Sequence, residues 1–172
     1  MVIWLIGLSG SGKSTLGNEV ARQLREIKPN TVLLDGDEIR KVFAHDRGDE
    51  PYTVQGRRIN AERIVALCEM LDSQGIHVVC CILSIFPDMR LENRKRFSQY
   101  FEVFMDAPLD ALMARDVKGM YASAARGEVN NVVGIDIPYE RPVGSDMTID
   151  TSKNDANIKE LASSILEQAG LV

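Results

Sequence analysis

Spaced cysteines, long apolar runs and an excess of positive charge are all missing from this chain of 172 residues. The three cysteines are Cys68, Cys80 and Cys81, and the last two are neighbours in an apolar run, so neither a metal-ligand spacing nor a disulfide framework can be read from them. They read as buried thiols of a reducing, cytoplasmic compartment, with Cys80 and Cys81 on opposite faces of a strand. No apolar run approaches the ~20 residues that a membrane-spanning helix needs. The opening stretch, residues 1–6, has no basic segment before it and no small-residue cleavage site after it, so it reads as a strand and not as a signal peptide. Lysine and arginine together number 20 against 25 aspartates and glutamates, a formal charge of −5. That balance argues against a general binder of nucleic-acid polymers. It leaves room for a small anion, for which a few placed basic groups suffice.

What is present is ordinary globular composition, 45% hydrophobic and 26% charged, at a length that suits one domain over residues 1–172. Apolar runs alternate with helical patterns. Strands are expected over 2–6, 31–34, 76–83, 100–105 and 147–149, the last at an edge. Helices are expected over 13–27, 38–44, 57–73, 89–99, 109–115 and 154–169. Residues 46–55 read as a loop, and 116–141, rich in glycine and charge, as a mobile lid. Non-alternating apolar strands between helices argue for an α/β fold with a sheet buried on both faces.

The most specific motif is Gly7-Leu8-Ser9-Gly10-Ser11-Gly12-Lys13-Ser14, a complete G-x-x-x-x-G-K-[ST], followed by Thr15. It follows a buried strand and opens a helix, the context a phosphate-binding loop requires. Its glycines let backbone N–H groups approach phosphate oxygens, and the helix adds the positive end of its dipole. Lys13 is expected at the β- and γ-phosphates of ATP, and Ser14 at Mg²⁺. The fold class expected is therefore the three-layer P-loop NTPase fold: a five-stranded, mostly parallel sheet with helices on both faces.

A phosphate loop serves switches and kinases alike. Asp116-Val-Lys-Gly119 and Ser152-Lys-Asn-Asp155 superficially fit the switch motifs of a GTPase, but no apolar strand precedes Asp116. The carboxylates that do end strands are Asp35 and Asp106. Asp35-Gly36-Asp37 ends the second strand, expected beside the strand of the phosphate loop, where a carboxylate can accept a hydroxyl proton or help position Mg²⁺. Arg115, Lys118, Arg126 and Arg141 fall in or beside the lid, whose closure would exclude water. The residues favour a small-molecule kinase.

Further motifs follow in order: Leu34-Asp-Gly-Asp37-x-x-Arg40, Phe104-Met-Asp-Ala-Pro-Leu109, Arg115-Asp-Val-Lys-Gly-Met-Tyr121 and Gly134-Ile-Asp136-x-x-Tyr139-Glu-x-Pro142. Together with the phosphate loop they resemble adenylylsulfate kinase over roughly residues 2–152. That family phosphorylates the 3′-hydroxyl of adenosine 5′-phosphosulfate with ATP. The resemblance implies that residues 7–15 bind the ATP phosphates and that Asp37 is the base or orienting group, sharing Mg²⁺ with Ser14. It puts Asp35, Arg40, Tyr52, Arg57, Asn60, Arg63, Leu83, Lys118 and Val132 at the acceptor, and Arg115 on the ATP side. Ser84 matches a position sometimes assigned a phosphoserine intermediate; direct in-line transfer is the simpler expectation. A homodimer is also implied.

The chain departs from the family pattern where the acceptor's base would sit. The aspartate expected before Arg57 is Gly56, the first of a paired Arg-Arg is Glu62, and Ser-Pro after the third strand is Ser84-Ile85. The family's Lys-x-Phe-Thr-Gly-Ile-Asp is Asn130-Asn-Val132-Val-Gly-Ile-Asp136. A clamp of two aromatics becomes Tyr52 and Val132, and stacking is worth ~1–3 kcal/mol per base. Two acceptors stay open: adenosine 5′-phosphosulfate, and the smaller cytidine 5′-diphosphoramidate used by one variation of the family. A non-catalytic ATP-binding protein and a kinase of an unrelated small alcohol are the outlying alternatives.

Overall fold

The computed structural model describes residues 1–116, 119–152 and 157–172. Five strands, β1 (Val2–Ile6), β2 (Thr31–Asp35), β3 (His77–Ile82), β4 (Tyr100–Asp106) and β5 (Met147–Asp150), form one sheet. Their order is β2-β3-β1-β4-β5, and every pairing is parallel. The helices are α1 (Lys13–Ile27), α2 (Gly36–Val42), α3 (Val54–Asp72), α4 (Pro87–Arg96), α5 (Leu109–Arg115), α6 (Met120–Ala125) and α7 (Ile158–Gln168). A single 3₁₀ turn, Glu50–Tyr52, precedes α3. No helix among the described residues is long and apolar enough to cross a membrane.

The period of two along β1 builds the layers. Ile3 and Leu5 pack with Leu16, Val20 and Leu24 of α1 and with Ala162 and Ile165 of α7. Val2, Trp4 and Ile6 face the other way, onto Ile64, Val65 and Cys68 of α3 and Ile39 of α2. Successive side chains of a strand point to opposite faces, so one run of five buried residues serves two cores. Cys81 joins the first core and Cys80 the second, as their adjacency in a strand predicts.

Two expectations need correction. The second strand does not lie beside β1, because β3 intervenes. Only Thr31 of β2 is buried, whereas β3 is buried at five of its six positions. The more apolar strand takes the inner place and β2 the edge. The five-stranded sheet itself is as expected, with every pairing parallel. Residues 116–141 are not an open loop where they are described: α6 forms there, and Tyr121, Val132, Val133 and Ile137 are buried with Leu8 and Leu112 in a third cluster. The helix expected over 154–169 begins among residues outside those described, and its described part is α7.

In a parallel sheet the loops after the strands gather on one rim, where open α/β sheets bind ligands. Here that rim carries the phosphate loop after β1, Asp35 at the end of β2 with Gly36 following, Leu83–Ser84 after β3 and Asp106 at the end of β4. Asp35 still reaches the loop because α1 crosses over β3. The Cys81 thiol donates to the Lys13 carbonyl at 3.4 Å, and burial, with the Asp35 charge, pushes that thiol up to about 12, so it packs as a neutral group.

Candidate active site

The phosphate loop spans β1 and α1. Gly12, at φ 91°, caps the helix with no side-chain bond to its first turn, which leaves those N–H groups for an anion. Lys13 Nζ donates to the Leu8 carbonyl at 2.7 Å, bracing the loop across its mouth. Ser14 Oγ donates to Asp35 Oδ2 at 2.5 Å, and Asp35 Oδ1 accepts the Asp37 N–H at 2.9 Å. One carboxylate therefore joins the loop's hydroxyl to the start of α2 and sets Asp37, which is exposed, at that helix's first turn.

Opposite lies a cationic cluster. Arg40, buried on α2, donates from Nη1 to the Pro51 carbonyl at 2.8 Å and places its guanidinium 5.0 Å from the centre of the Tyr52 ring. Arg57 of α3 donates from Nε to the Tyr52 carbonyl at 2.8 Å and from Nη2 to the Asn131 carbonyl at 2.7 Å. Its guanidinium lies 5.9 Å from the same ring. Burial, and then the neighbouring Arg40 charge, lowers Arg57 to about 10, against the pull of Asp37, Tyr52 and Asp136. Arg57 remains a cation at neutral pH, but it shares its space with another. An anionic ligand would relieve that repulsion.

Gly56 makes this arrangement possible. A Cβ there would stand 2.2 Å from the Glu50 carbonyl oxygen and 2.7 Å from Pro51 Cα. The turn that carries Tyr52 is thus seated against α3 more closely than any side chain at 56 would permit. The Thr53 hydroxyl caps α3 by accepting the Gly56 N–H at 3.1 Å.

Other residues expected at the acceptor are distributed less uniformly. Asn60 is buried on α3 and its Oδ1 has no hydrogen-bond partner. Arg63 turns toward Phe43, 5.5 Å from the ring, and not toward Tyr52. Leu83 is half-buried against the third cluster. Ser84, at φ 54°, holds a left-handed conformation that a residue with a Cβ adopts at a cost of ~1–3 kcal/mol. Val132 is buried beside Leu8 and Tyr121 and presents no open face. Lys118 lies outside the described residues, as do parts of both switch-like motifs.

Arg115, expected on the ATP side, donates from Nη2 to the carbonyls of Thr151 at 2.5 Å and Ser152 at 2.7 Å, holding the segment after β5. Arg126 pairs with Glu128 at 2.7 Å, and Arg141 with Asp106. Three participants receive no role from a reading of the sequence, although Tyr121 and Asp136 stand within its motifs. Asn131, at φ 63°, supplies only a carbonyl to Arg57. Asp136 ties its loop by accepting the N–H groups of Asn131 at 2.5 Å and Val132 at 2.6 Å. The Tyr121 hydroxyl donates to the Ser9 carbonyl at 2.8 Å. Of these, only Asp136, as an aspartate in a glycine-containing turn, carries a local signal.

Comparison with known proteins agrees with this geometry. The family model for adenylylsulphate kinase matches residues 1–150. An adenylyl-sulfate kinase of Shewanella baltica is 40% identical over 90% of this chain and 75% of its own length. The cytidine diphosphoramidate kinase of Campylobacter jejuni is 34% identical over 99% of this chain and 96% of its own. One longer relative, 36% identical, is spanned over 27% of its length only. Among solved structures, the APS kinase CysC of Mycobacterium tuberculosis, in complex with AMPPNP and APS, superposes with a TM-score of 0.84 at 34% identity, covering 98% of this chain and 96% of that one. The match over residues 1–150, with relatives at 34–40% identity, shows that the chain belongs to the adenylylsulphate kinase family.

Proposed function

We propose that the protein transfers the γ-phosphoryl group of ATP to the 3′-hydroxyl of a nucleotide bearing a 5′ anionic group, with adenosine 5′-phosphosulfate as the acceptor. What supports this reading is the link of Asp37, through the Asp35 carboxylate, to Ser14 of the phosphate loop, together with the pull of its charge on Arg57. Phosphoryl transfer needs chiefly positioning and charge neutralisation. Lys13 and the first N–H groups of α1 neutralise the phosphates. The two arginines hold the acceptor's 5′ group by its charge. Asp37 receives or orients the proton of the 3′-hydroxyl, whose oxygen bonds to the γ-phosphorus in line as the bond to the β–γ bridging oxygen breaks and ADP leaves. Ser84 has no covalent role in this scheme.

Mg²⁺ fits the donor set at the loop. Ser14 and Asp35 bring a hydroxyl and a carboxylate oxygen together, hard donors of the kind this ion prefers while it keeps several waters and phosphate oxygens. Asp37, expected to share the ion with Ser14, lies two residues beyond Asp35 and is tied to it by its own N–H. Bound there, the ion would neutralise charge on the β- and γ-phosphates. A cytoplasmic setting suits the three unbridged thiols, and the working form is a homodimer.

A second reading, cytidine 5′-diphosphoramidate as the acceptor, draws support from Val132 and Gly56. Both replace larger residues of the family pattern, and an acceptor site with Tyr52 as its one aromatic suits a smaller base. Offering both acceptors with Mg-ATP and weighing the products separates the two. Faster turnover of the adenosine compound supports the first reading, and faster turnover of the cytidine compound replaces it with the second.

A further inference from the structure

We propose that Tyr121 is a positioning residue of the phosphate loop: its hydroxyl fixes the Ser9–Gly10 peptide so that the Gly10 N–H faces the nucleotide's phosphates. The proposal rests on the reading of this loop as a nucleotide site. A trans peptide is planar, and its C=O and N–H point in opposite directions. Holding the Ser9 carbonyl on the outside of the loop therefore aims the next N–H inward. Gly10, at φ 80°, has no Cβ to resist rotation of that peptide. In the free protein the loop therefore needs an outside restraint if its donors are to be aligned before ATP arrives.

Tyr121 supplies one. Its hydroxyl donates to the Ser9 carbonyl at 2.8 Å across 112 positions of sequence. Its ring is buried among Leu8, Leu112, Val132, Val133 and Ile137. The start of α6 is fixed in turn by Asp116, whose carboxylate accepts the N–H groups of Tyr121 at 3.1 Å and Ala122 at 2.8 Å. Burial, followed by the Asp116 charge, pushes the phenol up to about 12, so it keeps the proton it donates. The cluster that seats the ring also seats Val132, next to the Asn131 carbonyl that Arg57 holds. The restraint on the ATP side and the wall of the acceptor side thus belong to one packed unit.

The test is Tyr121→Phe, which removes the hydroxyl and keeps the ring. Calorimetry with Mg²⁺ and a non-hydrolysable ATP analogue should show affinity weakened about five- to tenfold, the range one lost hydrogen bond supports. The melting temperature should stay within about 2 °C, and acceptor KM within about twofold. The Gly10 amide resonance should be displaced in the free variant. Unchanged analogue affinity and an unmoved Gly10 resonance would overturn the proposal alone. Equal weakening for ATP and acceptor with a large fall in melting temperature would overturn it too, since that is general loosening. A wild-type protein that binds no analogue would overturn the nucleotide reading and the proposal with it.

Discussion

Asp37→Ala is expected to lower phosphoryl transfer by about 10²–10⁴-fold, the range general acid–base groups contribute. Binding of an ATP analogue should change by less than about twofold. The reason is geometric. Asp37 stands at the first turn of α2, positioned by its own N–H bond to Asp35, while the phosphates are held by the loop, Lys13 and the start of α1. Asp37→Asn keeps the shape and the hydrogen-bonding reach but cannot take the proton, so it should fall nearly as far. Steady-state rates beside calorimetry check both. Turnover near the wild-type level in either variant would remove Asp37 from the reaction.

The second large effect is expected at Arg57. Arg57→Ala removes a cation from the acceptor side and cuts the bridge between the Tyr52 and Asn131 carbonyls. A hydrogen bond to a charged group is worth roughly 1.5–3 kcal/mol, so acceptor KM should rise about 10- to 150-fold while ATP KM moves less than about twofold. Arg57→Lys should recover little. A point charge on a flexible stem cannot fork between two carbonyls as a planar guanidinium does. Initial-rate kinetics with each substrate varied in turn give the comparison. Equal rises in both KM values would mean that Arg57 serves the fold and not the acceptor.

Much of this architecture is legible in the sequence, for particular reasons. The phosphate loop is local: glycines, lysine and serine sit in one run between a buried strand and an amphipathic helix, and no distant partner is needed to read them. Arg40 and Arg57 are visible as residues of a charged site, but their arrangement around Tyr52 is not. Arg57 spends two of its donors on backbone carbonyls, one of them 74 positions away, and a carbonyl leaves no mark in sequence. The seat of the Tyr52 turn depends on what Gly56 lacks, which becomes informative only when the Glu50 carbonyl is seen at the place a Cβ would take.

The edge position of β2 is hidden for a different reason. Neighbouring strands in sequence need not be neighbours in a doubly wound sheet, and only the relative burial of β2 and β3 separates them. Residues 116–141 look like a plain lid because α6 is a single short helix between glycines. Its buried companions Val132, Val133 and Ile137 follow neither a helical nor a strand period. Tyr121 is quoted readily as part of a motif, yet its link to Ser9 is a tertiary contact.

The central claim is that the γ-phosphoryl group of ATP arrives on the 3′-oxygen of a nucleotide acceptor. Phosphorus NMR of the product, with coupling to the ribose proton at the 3′ carbon, tests it most directly. The account predicts one new phosphomonoester, coupled to the 3′ proton, formed with Mg-ATP and either of the two acceptors, and formed about 10²–10⁴-fold more slowly with Asp37→Ala. A phosphate on another oxygen, or ADP and inorganic phosphate with both acceptors unchanged, would contradict it.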